Sequence, residues 1–129
     1  PCAANRPDPE DGLDILAKLG GFDIAGMAGL YIGGALCGMP VMVDGLISAV
    51  AALAARRICP ACGNAMLASH VSAEPACRML LDELGLEPLI CADMCLGEGS
   101  GAVAGGATDV RSTGLCADRT RAMCRVPAK

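Results

Sequence analysis

Large aromatic side chains are almost absent from this sequence, which has no tryptophan, one phenylalanine and one tyrosine in 129 residues. A core of ordinary density must therefore be filled by smaller groups. Seventeen glycines and a hydrophobic fraction of 53% indicate close packing of backbone against backbone. Because only 19% of the residues are charged, we also expect part of the apolar surface to be covered by a partner or by further chain.

A basic excess is also lacking. The formal net charge of −4 excludes a protein-wide positive field for nucleic acid. With one histidine, His70, the four ligands of a zinc site would have to come mainly from cysteine. A zinc-binding interaction module on Cys59, Cys62, Cys91 and Cys95, with an unusual gap between the two pairs, stays open as one alternative. Our main expectation is that the protein holds no metal.

The first residues, PCAANRPDPEDG, lack the basic and apolar regions of a secretory signal. Nine is an odd number of cysteines, and three of them lie in apolar runs, so we expect free thiols and a cytoplasmic location. The 20 residues 24–43 carry no charge and are long enough to cross a membrane. A small membrane-anchored protein is therefore the second alternative, although a glycine-rich helix and a strand explain the same residues.

Helices and strands are expected to alternate through the middle of the chain. The patterns predict helices at 11–19, 22–37, 46–57 and 73–84, and strands at 40–43, 65–69 and 88–91. Ser72 fits the N-cap of the last helix, with Pro75 in its first turn and Gly85 after its end. This alternation predicts an α/β fold with a parallel sheet.

Candidate site residues follow the expected strands, where ligands bind in parallel sheets. Asp44 could bind a ribose or a cationic ring, or could cap the helix that follows it. The turn from Ser69 to Ser72 offers hydroxyl and N–H groups for an anionic ligand. In GEGSG at 97–101, Glu98 could approach a ligand closely and act as a general base, or could be an ordinary loop residue.

The order of these segments resembles a known family. KLGGFDIAGMAGLYIGGALCGMPVMVDGLISAVAAL is followed by ASHVSAEP, LLDELGLEP and MCLGEGSGA. Over residues 12–104 this is similar to the C-terminal half of the nicotinate-nucleotide–dimethylbenzimidazole phosphoribosyltransferases, which assemble the lower ligand of cobalamin. The resemblance implies a partial Rossmann-like domain of a homodimeric enzyme that uses no metal or organic cofactor.

The resemblance also implies a reaction and a site. The family moves ribose 5-phosphate from nicotinate mononucleotide to 5,6-dimethylbenzimidazole, giving α-ribazole 5′-phosphate and nicotinate. Glu98 would take the N–H proton of the benzimidazole while the other ring nitrogen attacks the anomeric carbon. Asp44 and Ser72 would line the nucleotide site, and Gly97 and Gly99 would shape the pocket around Glu98.

The sequence departs from the family at both ends. Residues 1–11 predict a linker or a remnant of a missing N-terminal half, and no glycine-rich phosphate loop occurs, so we expect the isolated chain to be inactive. Residues 105–129 carry five basic and two acidic side chains and read as a divergent, disordered tail. We hypothesise a frameshift there. The hypothesis fails if neither alternative frame of the encoding DNA continues the apolar helix of the family.

Overall fold

The computed structural model describes residues 2–94 and 99–109 of the chain. The elements follow one another as α1 (Cys2–Asn5), α2 (Gly12–Leu19), α3 (Phe22–Leu36), β1 (Val41–Val43), α4 (Leu46–Ile58), a 3-10 helix (Pro60–Ala65), β2 (Met66–Ala68), β3 (His70–Ser72), α5 (Pro75–Leu84), β4 (Ile90–Met94) and α6 (Ser100–Asp109). The four helices and three strand regions predicted from the sequence are all present within two residues of their expected starts and three of their expected ends.

The strands form one parallel arrangement around the segment 66–72. β1 pairs with β2, with Val41 opposite Met66, and β3 pairs with β4, with His70 opposite Ile90. Ser69 joins the two pairs: its N–H donates to the Val43 carbonyl at 2.9 Å, and its carbonyl accepts from Ile90 N–H at 2.9 Å. The segment 66–72 therefore lies between β1 and β4, which confirms the α/β class with a parallel sheet.

Local sequence explains where most helices begin and end. The Asp11 side chain caps α2 by accepting from Leu13 N–H at 2.9 Å. Pro75 occupies the first turn of α5, and Gly85 ends that helix at a φ of 62°, a left-handed conformation that favours glycine. Both predictions are confirmed. The prediction that Ser72 caps this helix is wrong, because Ser72 ends β3 and Glu74 precedes α5.

Small residues let the layers approach closely. Four alanines of α4 are fully buried between α3 and α5 (Ala49, Ala51, Ala52 and Ala55). Gly34 of α3 is also buried, and a Cβ added there would overlap the Val41 side chain. The close backbone packing expected from the shortage of aromatic residues is thus present between α3 and β1.

Residues 24–43 do not form one continuous segment. α3 ends at Leu36, a turn follows, and β1 begins at Val41. Within residues 2–94 and 99–109, no helix has the length and apolar character needed to span a membrane. The membrane-anchor alternative is therefore unsupported.

The structure contains helices where the sequence predicted a linker and a boundary between segments. α1 lies within the segment 1–11 that we interpreted as a linker. α6 runs through position 105 to Asp109, so the expected boundary between 104 and 105 falls inside a helix. The remainder of the predicted tail, residues 110–129, lies outside the described residues.

Candidate active site

The carboxyl ends of β1 and β3 meet the first turn of α6. Asp44 directly follows β1, and its Oδ1 accepts a hydrogen bond from Ala102 N–H at 2.7 Å. The Gly99 carbonyl accepts from Val103 N–H at 3.0 Å, so Gly99 is the N-cap residue of α6 and supplies no side chain. The Asp44 carboxylate provides the cap from 58 residues away, at the helix end where negative charge is stabilising.

The alternative interpretation of Asp44 as the cap of α4 is therefore wrong. The N-cap of α4 is Gly45, and the Ser48 hydroxyl satisfies its backbone: it accepts from Gly45 N–H at 2.9 Å and donates to the Gly45 carbonyl at 2.8 Å. Because α4 is capped locally, the Asp44 carboxylate is available to α6.

Ser69 and His70 form a buried polar pair beside Asp44. The Ser69 hydroxyl lies 2.9 Å from the Val43 carbonyl, 3.0 Å from the Asp44 carbonyl and 2.9 Å from His70 Nδ1. A hydroxyl has one proton, so these contacts are best satisfied when Ser69 donates to the strand carbonyls and His70 Nδ1–H donates to Ser69. We assign the proton to Nδ1 on this network.

Two glycines bring α6 onto this pair. A Cβ added at Gly101 would overlap the His70 ring and lie 2.8 Å from Asp44 Oδ1. One turn later, a Cβ at Gly105 would lie 3.0 Å from Ser69 Cβ and 3.0 Å from Met42 Cε. Glycines four residues apart share one helix face, so the face of α6 that carries Gly101 and Gly105 packs directly against the strand ends.

Tyr31 supports the site from α3. Its side chain is 3% exposed, and its hydroxyl donates to the Met42 carbonyl at 3.3 Å. Burial raises the pKa of Tyr31 to about 12, the Asp44 charge adds to the shift, and a hydrogen bond with Ser48 opposes it. The phenol is therefore neutral at physiological pH, and its hydrogen bond links α3 to β1.

Ser72 lies at the same edge of the sheet. A Cβ added at Gly45 would lie 4.0 Å from Ser72 Cβ, so the turn after β1 and the end of β3 are neighbours. The Ser72 hydroxyl donates to the Glu74 carboxylate. The structure thus brings together Asp44, Ser72 and the start of α6, three of the regions singled out by the sequence.

Comparison with known proteins identifies the family. The profile of the family described as Phosphoribosyltransferase matches residues 2–108. The chain belongs to this phosphoribosyltransferase family. It is 54% identical over 98 residues to nicotinate-nucleotide–dimethylbenzimidazole phosphoribosyltransferases of Escherichia coli strains SMS-3-5 / SECEC and O1:K1 / APEC. Each match covers 76% of the chain and 27% of the relative.

Solved structures agree with the family assignment. The chain is similar to the crystal structure of CobT from Thermus thermophilus, with a TM-score of 0.75 and 34% identity, over 92% of the chain and 34% of that protein. A second structure, of a nicotinate-nucleotide–dimethylbenzimidazole phosphoribosyltransferase from the same organism, gives a TM-score of 0.76 and 33% identity over 95% of the chain and 35% of that protein. The chain thus spans about a quarter to a third of the length of these relatives.

The segment GEGSG at 97–101 is described only from Gly99 onward. Glu98 and Gly97 lie outside the described residues, so their predicted roles remain predictions. Gly99 has a φ of 77°, in the left-handed region that glycine adopts without strain. The left-handed backbone conformation therefore explains why a glycine occupies this turn.

The zinc alternative finds no support in the part of the chain that the structure describes, where no group of three or more His, Cys, Asp or Glu could hold a metal ion. Cys62 is fully buried, and burial raises the pKa of its thiol to about 11. Cys95, the fourth residue of the hypothesis, lies outside the described residues.

Sequence reasoning placed His70 in a candidate binding turn but missed its contact with α6, and it missed Gly101 and Gly105 as parts of the site. The sequence analysis included His70 only within the turn from Ser69 to Ser72, and it placed position 105 at the start of the divergent tail. Glycines at 101 and 105, four residues apart in a segment that continues the GEGSG motif, are the signal that could have indicated a packed helix face.

Proposed function

We propose that this chain forms the part of a nicotinate-nucleotide–dimethylbenzimidazole phosphoribosyltransferase that carries the general base. In this reaction the bond between ribose C1′ and nicotinate breaks, and a bond between C1′ and a ring nitrogen of 5,6-dimethylbenzimidazole forms. The proton on the other ring nitrogen passes to the Glu98 carboxylate. The products are α-ribazole 5′-phosphate and nicotinate.

One observation carries the proposal for the site. The hydrogen bond from Ala102 N–H to Asp44 Oδ1, at 2.7 Å, joins the end of β1 to the first turn of α6. One peptide bond links Glu98 to Gly99, the N-cap of that helix, and consecutive Cα atoms are about 3.8 Å apart. This supports a shared pocket for Glu98, Asp44 and Ser72 at the carboxyl edge of the sheet, where ligands bind in such folds.

Carboxylates suit this chemistry. A neutral benzimidazole becomes a good nucleophile when its N–H proton leaves as the new bond forms, which is the task of a general base. A ribose that loses nicotinate develops positive charge near C1′, and a negative group such as Asp44 stabilises it. We therefore assign base catalysis to Glu98, nucleotide binding to Asp44 and Ser72, and pocket shape to Gly97 and Gly99.

We further propose that the intact enzyme is a cytoplasmic homodimer. Apolar side chains on and just after α3 face outward (Phe22, Leu30, Leu36 and Met39), and Phe22 is 100% exposed. An interface with the remainder of the enzyme or with a second subunit would remove this surface from water. Sedimentation of an intact enzyme carrying this segment should give the mass of a dimer, and a monomer would contradict the proposal.

The test uses a chimera: the intact Escherichia coli relative in which the aligned segment is replaced by residues 12–109 of this chain. Product is measured from nicotinate mononucleotide and dimethylbenzimidazole. We expect Glu98→Gln to lower kcat by about 10²–10⁴-fold while calorimetric binding of nicotinate mononucleotide is unchanged.

The matched control is Glu87→Gln, an exposed carboxylate that precedes β4 at the opposite edge of the sheet; it should leave kcat unchanged. A folded chimera that binds no nucleotide and forms no product would contradict the proposed function. Equal turnover in the Glu98→Gln and Glu87→Gln variants would contradict the assignment of the base.

A further inference from the structure

We propose that His70 is a positioning residue for the transfer reaction. The packing contact between its ring and Gly101, which we call the seat, determines where the first turn of α6 lies on the sheet. The proposal rests on the proposed function, because the residue positioned is Glu98, three places before Gly101 in the sequence.

The His70 ring is held rigidly. His70 is the first residue of β3 and is 6% exposed. The hydrogen bond between Nδ1 and the buried Ser69 hydroxyl, at 2.9 Å, fixes the rotation of the ring. Ser69 is itself tied to β1 through the Val43 carbonyl at 2.9 Å. The ring is therefore a rigid surface whose position is determined by two neighbouring strands.

The first turn of α6 contacts both this ring and Asp44. There is no room for a Cβ at Gly101, because it would overlap His70 and lie 2.8 Å from Asp44 Oδ1. The next residue, Ala102, donates its N–H to Asp44 Oδ1 at 2.7 Å. A shift of α6 along or around its axis would break the hydrogen bond or drive the backbone into the ring. Together the two contacts determine the position of the helix start.

A displaced helix start would move the glycine turn before it. A misplacement of about 1 Å at a reacting group lowers rate by about 10²-fold. We therefore expect loss of the seat to lower kcat and to leave KM for nicotinate mononucleotide nearly unchanged. A group that bound the nucleotide directly would raise KM instead.

The experiment is a double-mutant cycle between positions 70 and 101 in the chimera. Gly101→Ala should lower kcat by about 10²-fold, and His70→Ala by about tenfold, each with KM changed less than about twofold. In the His70→Ala background the ring is gone and only the 2.8 Å contact with Asp44 Oδ1 remains, so adding Gly101→Ala should lower kcat clearly less than it does beside the intact ring. His70→Asn, whose amide N–H can replace Nδ1–H toward Ser69, should recover part of the loss.

The matched control is Gly106→Ala in the same helix, where an added Cβ meets nothing within 4 Å. It should leave kcat unchanged in both backgrounds. The same cycle is measured by melting temperature in the full 129-residue chain, so that the contact is tested without turnover. There, too, Gly101→Ala should be less harmful when His70 is alanine.

Equal losses from Gly101→Ala in both backgrounds, in kcat or in melting temperature, would overturn the seat. A rise in KM as large as the fall in kcat would overturn the positioning role and would indicate direct binding by His70. A fully active Glu98→Gln variant would overturn the proposed base and with it the positioning role of His70. If the melting temperatures still showed coupling between positions 70 and 101, the packing contact itself would stand.

Discussion

Asp44→Ala is the most direct test of the contact that organises the candidate site. The substitution removes the oxygen that accepts from Ala102 N–H at 2.7 Å. It also removes a negative charge from the start of α6. No side chain at Gly99 can replace the cap, because the N-cap residue is a glycine. The Ala102 N–H then loses its partner at a half-buried position.

The expected loss follows from two terms. Replacing a capping side chain by alanine costs about 0.5–2 kcal/mol, and a hydrogen bond to a charged group contributes about 1.5–3 kcal/mol. These describe the same contact, so we expect a decrease of about 2 kcal/mol in the free energy of unfolding. For a chain of this size that corresponds to a fall of about 8 °C in Tm. Asp44→Asn keeps an acceptor and loses the charge, and should cost about 1 kcal/mol.

The assay is urea unfolding of the 129-residue chain, followed by circular dichroism. The control is Asp82→Ala, which removes a carboxylate that is 63% exposed and paired at 3.1 Å with Arg78. An exposed ion pair contributes little, so this variant should change the free energy of unfolding by less than about 0.5 kcal/mol. If Asp44→Ala is no more destabilising than Asp82→Ala, the reasoning about the cap of α6 is refuted.

Three further predictions concern the surrounding structure. Tyr31 is the single tyrosine, and burial raises its pKa from 10.0 to about 12. Its phenolate absorbance should therefore appear near pH 12 in the folded chain and near pH 10 in urea. The neutral phenol contributes about 2–3 kcal/mol to the free energy of unfolding below pH 10, and this contribution is lost as the pH rises toward 12. Gly34→Ala, whose Cβ would overlap Val41, should lower the free energy of unfolding by about 1–3 kcal/mol. Gly29→Ala, whose Cβ meets nothing within 4 Å, should raise it by up to about 1 kcal/mol. Urea unfolding compares the two variants, and equal effects would contradict the packing argument. Cys62, fully buried and with a pKa raised by burial to about 11, should resist alkylation at neutral pH while exposed thiols react; mass spectrometry of the modified peptides shows the order, and early labelling of Cys62 would contradict its burial.

Much of the fold could be predicted because its signals are local. Apolar periodicity, the prolines and the glycines after helices restrict the backbone within a few residues of themselves. Gly85 is an example, since its left-handed φ of 62° ends α5 wherever that helix packs. The family resemblance depended on the same local motifs in order, and the family comparison confirms it.

The assignment of caps could not be predicted in the same way. Asp44 is followed by a helix and Ser72 precedes one, so both have the spacing of local N-caps. Asp44 instead caps α6, because Ser48 already satisfies the backbone of Gly45. Ser72 stays in β3, where it lies opposite Met94. Spacing cannot distinguish a carboxylate that caps its own helix from one that caps a helix brought to it by folding.

The sequence alone thus determined the alternation of helices and strands, most of their ends to within three residues, and the family to which they belong, because these depend on interactions between residues near one another in the chain. Only the tertiary structure decided that Asp44 and His70 both contact the first turn of α6. The contact from Asp44 joins residues 58 positions apart, and it exists because three parallel segments place their carboxyl ends at one edge, where a glycine face can approach.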